Sequence, residues 1–443
     1  MKTDQRIVVV GKAGLAPKGM RYCPWDQSYW DKLIKGEGSI RPHSMEGIHE
    51  RLKVRVSSRF DEGELVPLID ELPRELASRL TPPIKHCDRV IQLAVLTAWY
   101  ALRDAGIPIG PVYENTAVEI GTGLGGGQTN EEKILKYHRD GLAHKTRDMF
   151  TVTNVMPNGP ASQVSIVFRL IGPVNGDVAA CTAAKNAFIN AIRILLCKDA
   201  EVVVTGGVEA VSTDYQLRTF DVMGALTREL NCPSQPFGAN RSGFVMGEGT
   251  AMFVLTTERY AKEHGLKIQA YVLGYSQLGD GVNITQPDPD GVIRVMRSCI
   301  EKADISPNIV DLICAHGTST PLNDKTEALA MRAIWGGLPT IGKQPVPDVT
   351  GNKSWIGHTL GASGAFNLLT CLLIMETGLA PGLGDYEFAH DCLWPEAESH
   401  PDLPKLLSPI PFIGKTRRVN AKTTLSNSFG FGGHNACALL ALP

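Results

Sequence analysis

The feature that most constrains this chain is a repeat. The helix-forming stretch Val90–Ala105 leads through Asp104-Ala105-Gly106-Ile107-Pro108 to a strand-forming stretch, Ala117–Gly121, and the turn Gly121-Thr122-Gly123. Farther on, Val292–Lys302 leads through Ala303-Asp304-Ile305-Ser306-Pro307 to Leu312–Ala315 and the turn His316-Gly317-Thr318. Each copy then carries a polar turn opening an apolar helix: Ala180-Cys181-Thr182 in the first, Gly357-His358-Thr359 in the second. Each ends in a strand entering a Gly-rich turn, Val202–Gly207 and Lys422–Gly433. One αβ unit used twice must bury its apolar faces against its own copy. The expected organisation is two halves, residues 1–262 and 263–443, dividing within Thr257–Lys267. The alternative is that α/β chains resemble themselves at this resolution, and the pattern alone leaves it open.

The rest of the chain suits an α/β layered fold. Further strands are expected at Ile7–Val10, Ala251–Thr256 and Gln269–Tyr275. Further helices are expected at Asn186–Leu196, Lys325–Trp335 and Ala365–Met375. Lys and Arg number 44 against 46 Asp and Glu, so the basic excess of a nucleic-acid binder is missing. The apolar run Ile7–Val10 is too short for a signal-peptide core, and Leu368–Met375 is far below spanning length. Ten cysteines are scattered without a C-x-x-C pair, which argues against a zinc site and a disulfide framework. The expectation is a cytoplasmic protein with reduced thiols, no nucleic-acid partner and no membrane insertion.

Three residues draw attention as chemistry. Cys181 follows a strand-like stretch and opens a helix, where the positive end of the helix dipole is expected to lower a thiol's pKa. The alternative is a buried structural cysteine, and position alone does not choose between them. His316 ends an apolar strand before small and hydroxyl residues, where open α/β sheets bind ligands. His358 stands just before a helix, a place that disfavours imidazolium and favours a neutral donor. Either histidine alone is an ordinary structural residue; with Cys181 they form a candidate Cys-His-His constellation. The stretch Asn427-Ser428-Phe429-Gly430-Phe431-Gly432-Gly433-His434 is read as a flexible turn able to supply an oxyanion donor, or as a plain Gly-rich hairpin. Gly121-Thr122-Gly123-Leu124-Gly125-Gly126 matches G-x-G-x-x-G, but no acidic residue closes a second strand about twenty residues on. These glycines are expected to serve close backbone packing beside the site.

Taken in order, the motifs are similar to those of another group of proteins. Val8-Val9-Val10-Gly11, Cys87-Asp88-Arg89, Pro157-Asn158, Ala180-Cys181-Thr182, Gly206-Gly207-Val208-Glu209-Ala210, Arg241 to Gly249, the two His motifs and Asn427 to Gly433 together resemble the type II elongating β-ketoacyl-acyl-carrier-protein synthases of the thiolase-like superfamily. The resemblance implies a five-layered αβαβα fold from two duplicated halves, and decarboxylative Claisen condensation of an acyl thioester with malonyl-acyl-carrier protein. It implies that Cys181 carries the acyl chain as a thioester, and that the N–H groups of Cys181 and Phe431 hold the oxyanion. It implies that His316 and His358 stabilise an enolate and that Lys353 pairs with Glu327. Thr318, Thr320 and Thr285 are expected on the phosphopantetheine arm, Phe431 as a gate, and Leu124 and Phe429 along the substrate pocket. No cofactor is expected, the phosphopantetheine belonging to the carrier protein.

Some positions depart from that pattern: Lys185 close to the nucleophile, Asn283 where a His is common, His434 where a Thr is frequent, and a long Gly382–Asn420 segment. Lys185 is expected either to lower the thiol pKa further or to face another layer. The competing readings are a chain-length-factor-like partner subunit and a thiolase, which would use a second cysteine near the C-terminus, here Cys437. The resemblance implies a homodimer, with a heterodimer with a ketosynthase-like subunit as the alternative. An acidic carrier protein calls for a basic rim, for which Arg51, Lys53, Arg55, Arg218 and Arg228 are candidates.

Overall fold

A computed structural model of the chain describes residues 6–42, 54–80, 82–140, 149–336, 346–395 and 408–443. Ten strands carry the architecture: β1 (Ile7–Ala16), β2 (Thr116–Gly121), β3 (Val174–Asp177), β4 (Val202–Glu209), β5 (Gly249–Thr257), β6 (Ala270–Gly279), β7 (Leu312–Cys314), β8 (Asp348–Thr350), β9 (Thr423–Gly430) and β10 (His434–Ala441). Their order is β8-β7-β9-β10-β6-β1-β5-β4-β2-β3. Read outward from the middle, the two halves repeat. β1-β5-β4-β2-β3 and β6-β10-β9-β7-β8 have the same order, antiparallel for the first two pairings and parallel for the last two. β1 and β6 join them antiparallel, Ile7 opposite Val272 and Val9 opposite Ala270. The duplication expected from the sequence is therefore present in the topology.

Six helices build the layers: α1 (Arg89–Asp104), α2 (Gly159–Phe168), α3 (Ala183–Cys197), α4 (Pro289–Lys302), α5 (Pro321–Trp335) and α6 (Ser363–Thr377). Strand alternation assigns them. Val8 and Val10 of β1 pack with α1 and α2, while Ile7 and Val9 pack with α3 and α6. In the other half of the sheet Leu312 and Cys314 face that same central pair, and Ile313 faces α4 and α5. Side chains that alternate between two apolar cores define strands buried on both faces. The result is the expected five layers, αβαβα. Phe366 of α6, wholly buried and stacked 5.7 Å from Tyr29, anchors the centre. Truncating such a ring costs about 3–5 kcal/mol.

Local chemistry explains the helix starts. Asp88 caps α1 by accepting from Val90 N–H at 2.9 Å. Asp288 caps α4 through Gly291 N–H at 2.8 Å, with Pro289 at the first position, so this helix begins earlier than the apolar periodicity suggested. Two stretches, Ala180–Cys197 and Leu360–Thr377, are long and apolar enough to cross a membrane, longer than the Leu368–Met375 run read from sequence. They are the central helices with their opening turns, and most of each is buried in the core.

The stretch from Asn427 corrects the sequence reading. Asn427 to Gly430 are the end of β9, paired with β10 as far as Gly430 opposite His434. Only Phe431-Gly432-Gly433 turns, with Gly432 and Gly433 at φ of 82° and 72°. The hairpin reading and the donor reading are thus the same object. The equivalence between the halves also shifts slightly. The turn matching Ala180–Thr182 is Leu360–Ala362, two residues beyond His358.

Candidate active site

Cys181 sits on a single 3-10 turn at the head of α3. The preceding Ala180 has a φ of 46°, a left-handed conformation rare for a side-chain-bearing residue. That bend lifts the thiol into a cleft of about 760 Å³. The Nε2 atom of His358 lies 3.1 Å from its Sγ. The backbone N–H groups of Cys181 itself and of Phe431 are directed at the same sulfur. Burial pushes the Cys181 thiol up to about 12, against the pull of Lys353 and of these two N–H groups. The sequence expectation of a lowered pKa is corrected: loss of water outweighs the helix terminus. The resting thiol is protonated.

His316 follows β7 and His358 precedes the turn into α6; their rings cross at 84° with centroids 5.2 Å apart. Both are buried, and both pKa values lie well below the usual 6.5, first because of burial and then because of the Lys353 charge. Two neutral imidazoles result. Phe244 meets the His358 ring edge-on at 5.1 Å, and Phe429 meets His316 at 5.7 Å. One sulfur and two imidazoles with donor atoms within 4.8 Å of one another also resemble a metal-ligand set. A ligating imidazole normally binds a second partner through its other nitrogen, which fixes its orientation. Among the described residues both Nδ1 atoms lack any partner, so the cluster does not fit that use.

Two carboxylates of α5 shape the His316 turn. Glu327 accepts from His316 N–H and Gly317 N–H, both at 2.9 Å, and from Asn427 Nδ2 at 2.9 Å. Asp324, one turn earlier, accepts from Thr318 N–H at 2.9 Å and Ser319 N–H at 3.1 Å. The expected Lys353–Glu327 pair is not a contact. Glu327 spends its oxygens on the turn, while Lys353 Nζ is buried without a hydrogen-bond partner among the described residues. Burial lowers the Lys353 ammonium to about 8, and Glu327 only raises it through space.

A third buried group ties the elements together. Asn367 of α6 donates to Ala315 C=O at 3.0 Å and to Asn427 C=O at 2.9 Å, and its Oδ1 accepts from Asn352 beside Lys353 at 3.1 Å. Glu209 is a fourth anchor, accepting from Gly123 N–H at 2.7 Å and Gly361 N–H at 2.9 Å. The glycines of Gly121–Gly126 therefore serve close packing, as the sequence suggested. A Cβ on Gly123 would lie 2.6 Å from the Glu209 carboxylate. Sequence reasoning missed the anchoring roles of Asp324, Asn367, Asn427 and Glu209. Two of them, Glu209 and Asn427, stood inside quoted motifs, and the i, i+3 spacing of Asp324 and Glu327 marks one face of a helix.

The remaining expected residues divide by position. Thr318, Thr320, Thr285, Leu124, Phe429 and Phe431 all line the cleft. Thr318 and Thr320 share a hydrogen bond of 2.8 Å. Thr285 is exposed at the mouth, its N–H bonded to Asn283 Oδ1 at 2.9 Å. Cys437 is buried in β10, 3.2 Å from Asn427 Oδ1, and does not line the cleft, so the thiolase base has no counterpart there. Lys185 does not act on Cys181: its side chain points into the core and donates to Ser426 Oγ. Arg218 and Arg228 both pair with Asp221 at 3.3 and 3.2 Å, beside the cleft residues Phe220 and Met223. Arg55 donates to Val54 C=O at 3.3 Å; Arg51 and Lys53 lie outside the described residues.

A protonated thiol beside neutral imidazoles, with two N–H groups converging on the sulfur, defines an acyl-transferring enzyme that works through a cysteine thioester. Comparison with known proteins agrees. The family pattern described as "Beta-ketoacyl synthase, N-terminal domain" matches residues 4–261, and that described as "Beta-ketoacyl synthase, C-terminal domain" matches residues 269–387. The chain is 30% identical to 3-oxoacyl-[acyl-carrier-protein] synthase 2 of Staphylococcus aureus (strain COL), over 98% of each chain. It is also 30% identical to Nodulation protein E of Rhizobium meliloti (strain 1021), over 98% of each chain. Among solved structures, a β-ketoacyl synthase from Burkholderia phymatum STM815 superposes with a TM-score of 0.83 at 25% identity, over 99% of each chain. The ishigamide ketosynthase/chain length factor superposes with a TM-score of 0.82 at 24% identity, over 99% of each chain.

The chain belongs to the β-ketoacyl synthase family. It is a condensing acyltransferase of the 3-oxoacyl-[acyl-carrier-protein] synthase class, acting in fatty-acid or polyketide chain elongation. Enzymes of this class carry the acyl group covalently on cysteine and need no metal.

Proposed function

We propose that Cys181 accepts an acyl chain from an acyl-carrier protein and condenses it with malonyl-acyl-carrier protein. The observation that carries this reading is the convergence on one sulfur of His358 Nε2 and the N–H groups of Cys181 and Phe431. In the first half-reaction Sγ attacks the thioester carbonyl, and the two N–H groups hold the oxyanion. The acyl group passes to Sγ, and the thiol proton leaves with the pantetheine sulfur. In the second half-reaction the malonyl thioester carbonyl faces His316 and His358. The carbon–carbon bond to the carboxylate breaks, CO2 departs, and the electron pair forms an enolate whose oxygen accepts from the imidazoles. The enolate carbon attacks the Cys181 thioester, and the sulfur leaves and takes up a proton. Neutral imidazoles suit this step because they donate to the enolate oxygen without protonating its carbon first.

Thr318 and Thr320 hold the phosphopantetheine arm, with Thr285 at the mouth. Leu124 and Phe429 line the chain's path, and Phe431 gates it. Arg218 and Arg228 flank the mouth on the side where an acidic carrier protein would dock. The protein works in the cytoplasm as a dimer. β3 is an open edge strand, and Val174, Val178, Ile171 and Ile166 around it are exposed apolar residues. An edge of this kind offers a template for pairing with a strand of another chain. The retained cysteine and histidines favour a catalytic subunit over a chain-length-factor-like one, whether the second subunit is a copy or a homologue.

Intact-mass spectrometry after incubation with carrier proteins bearing different acyl groups tests the reading. A Cys181-dependent acyl adduct, absent in Cys181→Ala, is expected. No adduct with any donor, for the protein alone or with a ketosynthase-like second subunit, would overturn it.

A further inference from the structure

Among the described residues Lys185 is the one wholly buried lysine that the reaction above does not use. Its side chain is 0% exposed, and Nζ donates to Ser426 Oγ of β9. The fold does not require it. The same position in the second half, counted from the start of α6, is Ala365. The hydroxyl matching Ser426 is Thr205 of β4, which lacks any partner among the described residues. A buried ammonium is costly, and burial lowers this one to about 8. Filling the site with an apolar side chain of similar volume would ordinarily be neutral or stabilising.

The two ends of this bond explain why the cost is kept. Lys185 lies one helical turn after Cys181, on the helix that presents the sulfur. Ser426 lies on β9, which ends at Gly430, one residue before Phe431, whose N–H is the second group aimed at that sulfur. Ser426 also pairs in register with Cys314, two residues before His316. Its neighbour Asn427 bonds Glu327, which holds the His316 turn. The Lys185–Ser426 bond thus joins the element carrying the nucleophile to the strand that leads to one oxyanion donor and supports the other half of the site.

We propose that Lys185 is a positioning residue for the condensation, fixing through Ser426 the distance between the Cys181 helix and the strand leading to Phe431. This rests on the function proposed above. Four proteins are compared: wild type, Lys185→Met, Ser426→Ala and Ser426→Thr. The readouts are condensation kcat and KM, melting temperature, and the rate at which iodoacetamide alkylates Cys181. Lys185→Met is expected to lower kcat on the order of ten- to a hundredfold, with KM little changed. Its melting temperature should hold or rise, and alkylation should slow several-fold. Ser426→Ala should follow in the same direction. Ser426→Thr, which keeps the hydroxyl and copies the Thr205 strand, should stay near wild type.

Wild-type turnover in Lys185→Met would overturn the proposal. So would a loss of activity that only parallels a loss of melting temperature, which is the mark of a merely structural lysine. Should wild type fail to condense any donor, the functional reading falls, and the alkylation rates still decide: equal rates in wild type and Lys185→Met would overturn the positioning role.

Discussion

Replacing Glu327 by Gln asks what this carboxylate is for. The geometry gives it three donors: His316 N–H, Gly317 N–H and Asn427 Nδ2, each at 2.9 Å. A glutamine offers one oxygen in place of two, and its NH2 group faces a donor. With its oxygen at the Oε1 place it keeps the His316 and Asn427 donors and loses the Gly317 bond; that loss, with the lost charge assistance of the other two, costs about 3–6 kcal/mol. Part of that returns because a buried charge is removed, leaving a net loss of about 2–4 kcal/mol of folding stability. The consequence for turnover is local. Glu327 holds the backbone under His316 and makes no bond to the Cys181 turn. Displacing His316 by about 1 Å costs up to about a hundredfold in its own step. Glu327→Gln should therefore slow decarboxylation of malonyl-carrier protein about ten- to a hundredfold and leave acylation of Cys181 near the wild-type rate. CO2 release from labelled malonyl thioester measures the first, intact-mass time courses the second, and calorimetry the stability. Decarboxylation at the wild-type rate would refute the reasoning. Equal loss of both half-reactions would refute it too, since that points to general disruption rather than a turn held from below.

Other expectations follow from the same geometry. His316→Ala and His358→Ala should each remove about 3–4 kcal/mol of transition-state stabilisation from decarboxylation, roughly a hundred- to a thousandfold, while the acyl adduct on Cys181 still forms. Lys353→Met removes the charge that pulls both imidazoles and the Cys181 thiol down, so the acid limb of decarboxylation should move to higher pH and alkylation of Cys181 should slow. Folding stability has a sign fixed by the same residues. His316 and His358 are held well below 6.5 in the native protein, so the unfolded chain binds more protons at acid pH. Their contribution should be complete above pH 6.5 and fall away as pH drops below it, measured as denaturant midpoints across a pH series.

Most of the fold was legible because strands buried on both faces are written as continuous apolar runs, as in Val8-Val9-Val10 and Val202-Val203-Val204. β3 was not legible: Val174-Asn175-Gly176-Asp177 is a polar edge strand, partnered on one side only. β8 is three residues long and lies just beyond residues 337–345, which are not described. Within the site, side chains with a reacting atom were legible, because Cys181, His316 and His358 stand in turns where a structural residue would gain little. The anchors were harder. Asn367 lies inside α6, an apolar helix, and its work is to bind two carbonyls on separate strands, a fact of tertiary structure alone. The thiol pKa was misjudged for the same reason. Helix position is local information, whereas the burial that outweighs it comes from a cluster gathered across the chain, Val211, Phe244 and Met246 of the first half with Leu360 of the second.

The repeat also explains why the site exists only with both halves present. Each half bends its chain in the same unusual way before its central helix, at Ala180 with a φ of 46° and at Leu360 with a φ of 40°. Such conformations cost of order 1–3 kcal/mol each and persist only where surroundings hold them. In the first half the bend delivers the Cys181 sulfur and its N–H. In the second, the residue at the place of Cys181 is Gly361, which gives its N–H to Glu209 of the first half. A Cβ at Gly361 would collide with the backbone of Thr122 and Gly123, so the halves meet main chain to main chain there. One bend has become the nucleophile's seat and its twin the clamp that holds the seat in place. The imidazoles come from the second half alone: Glu327 and Asp324 hold the His316 turn, and His358 N–H donates to Val245 C=O of the first half at 2.7 Å. Neither half can make the reaction's geometry by itself, because the thiol belongs to one and the enolate's donors to the other. Selection on the condensation is therefore selection on the seam between them, where Glu209 of one half binds Gly361 N–H of the other.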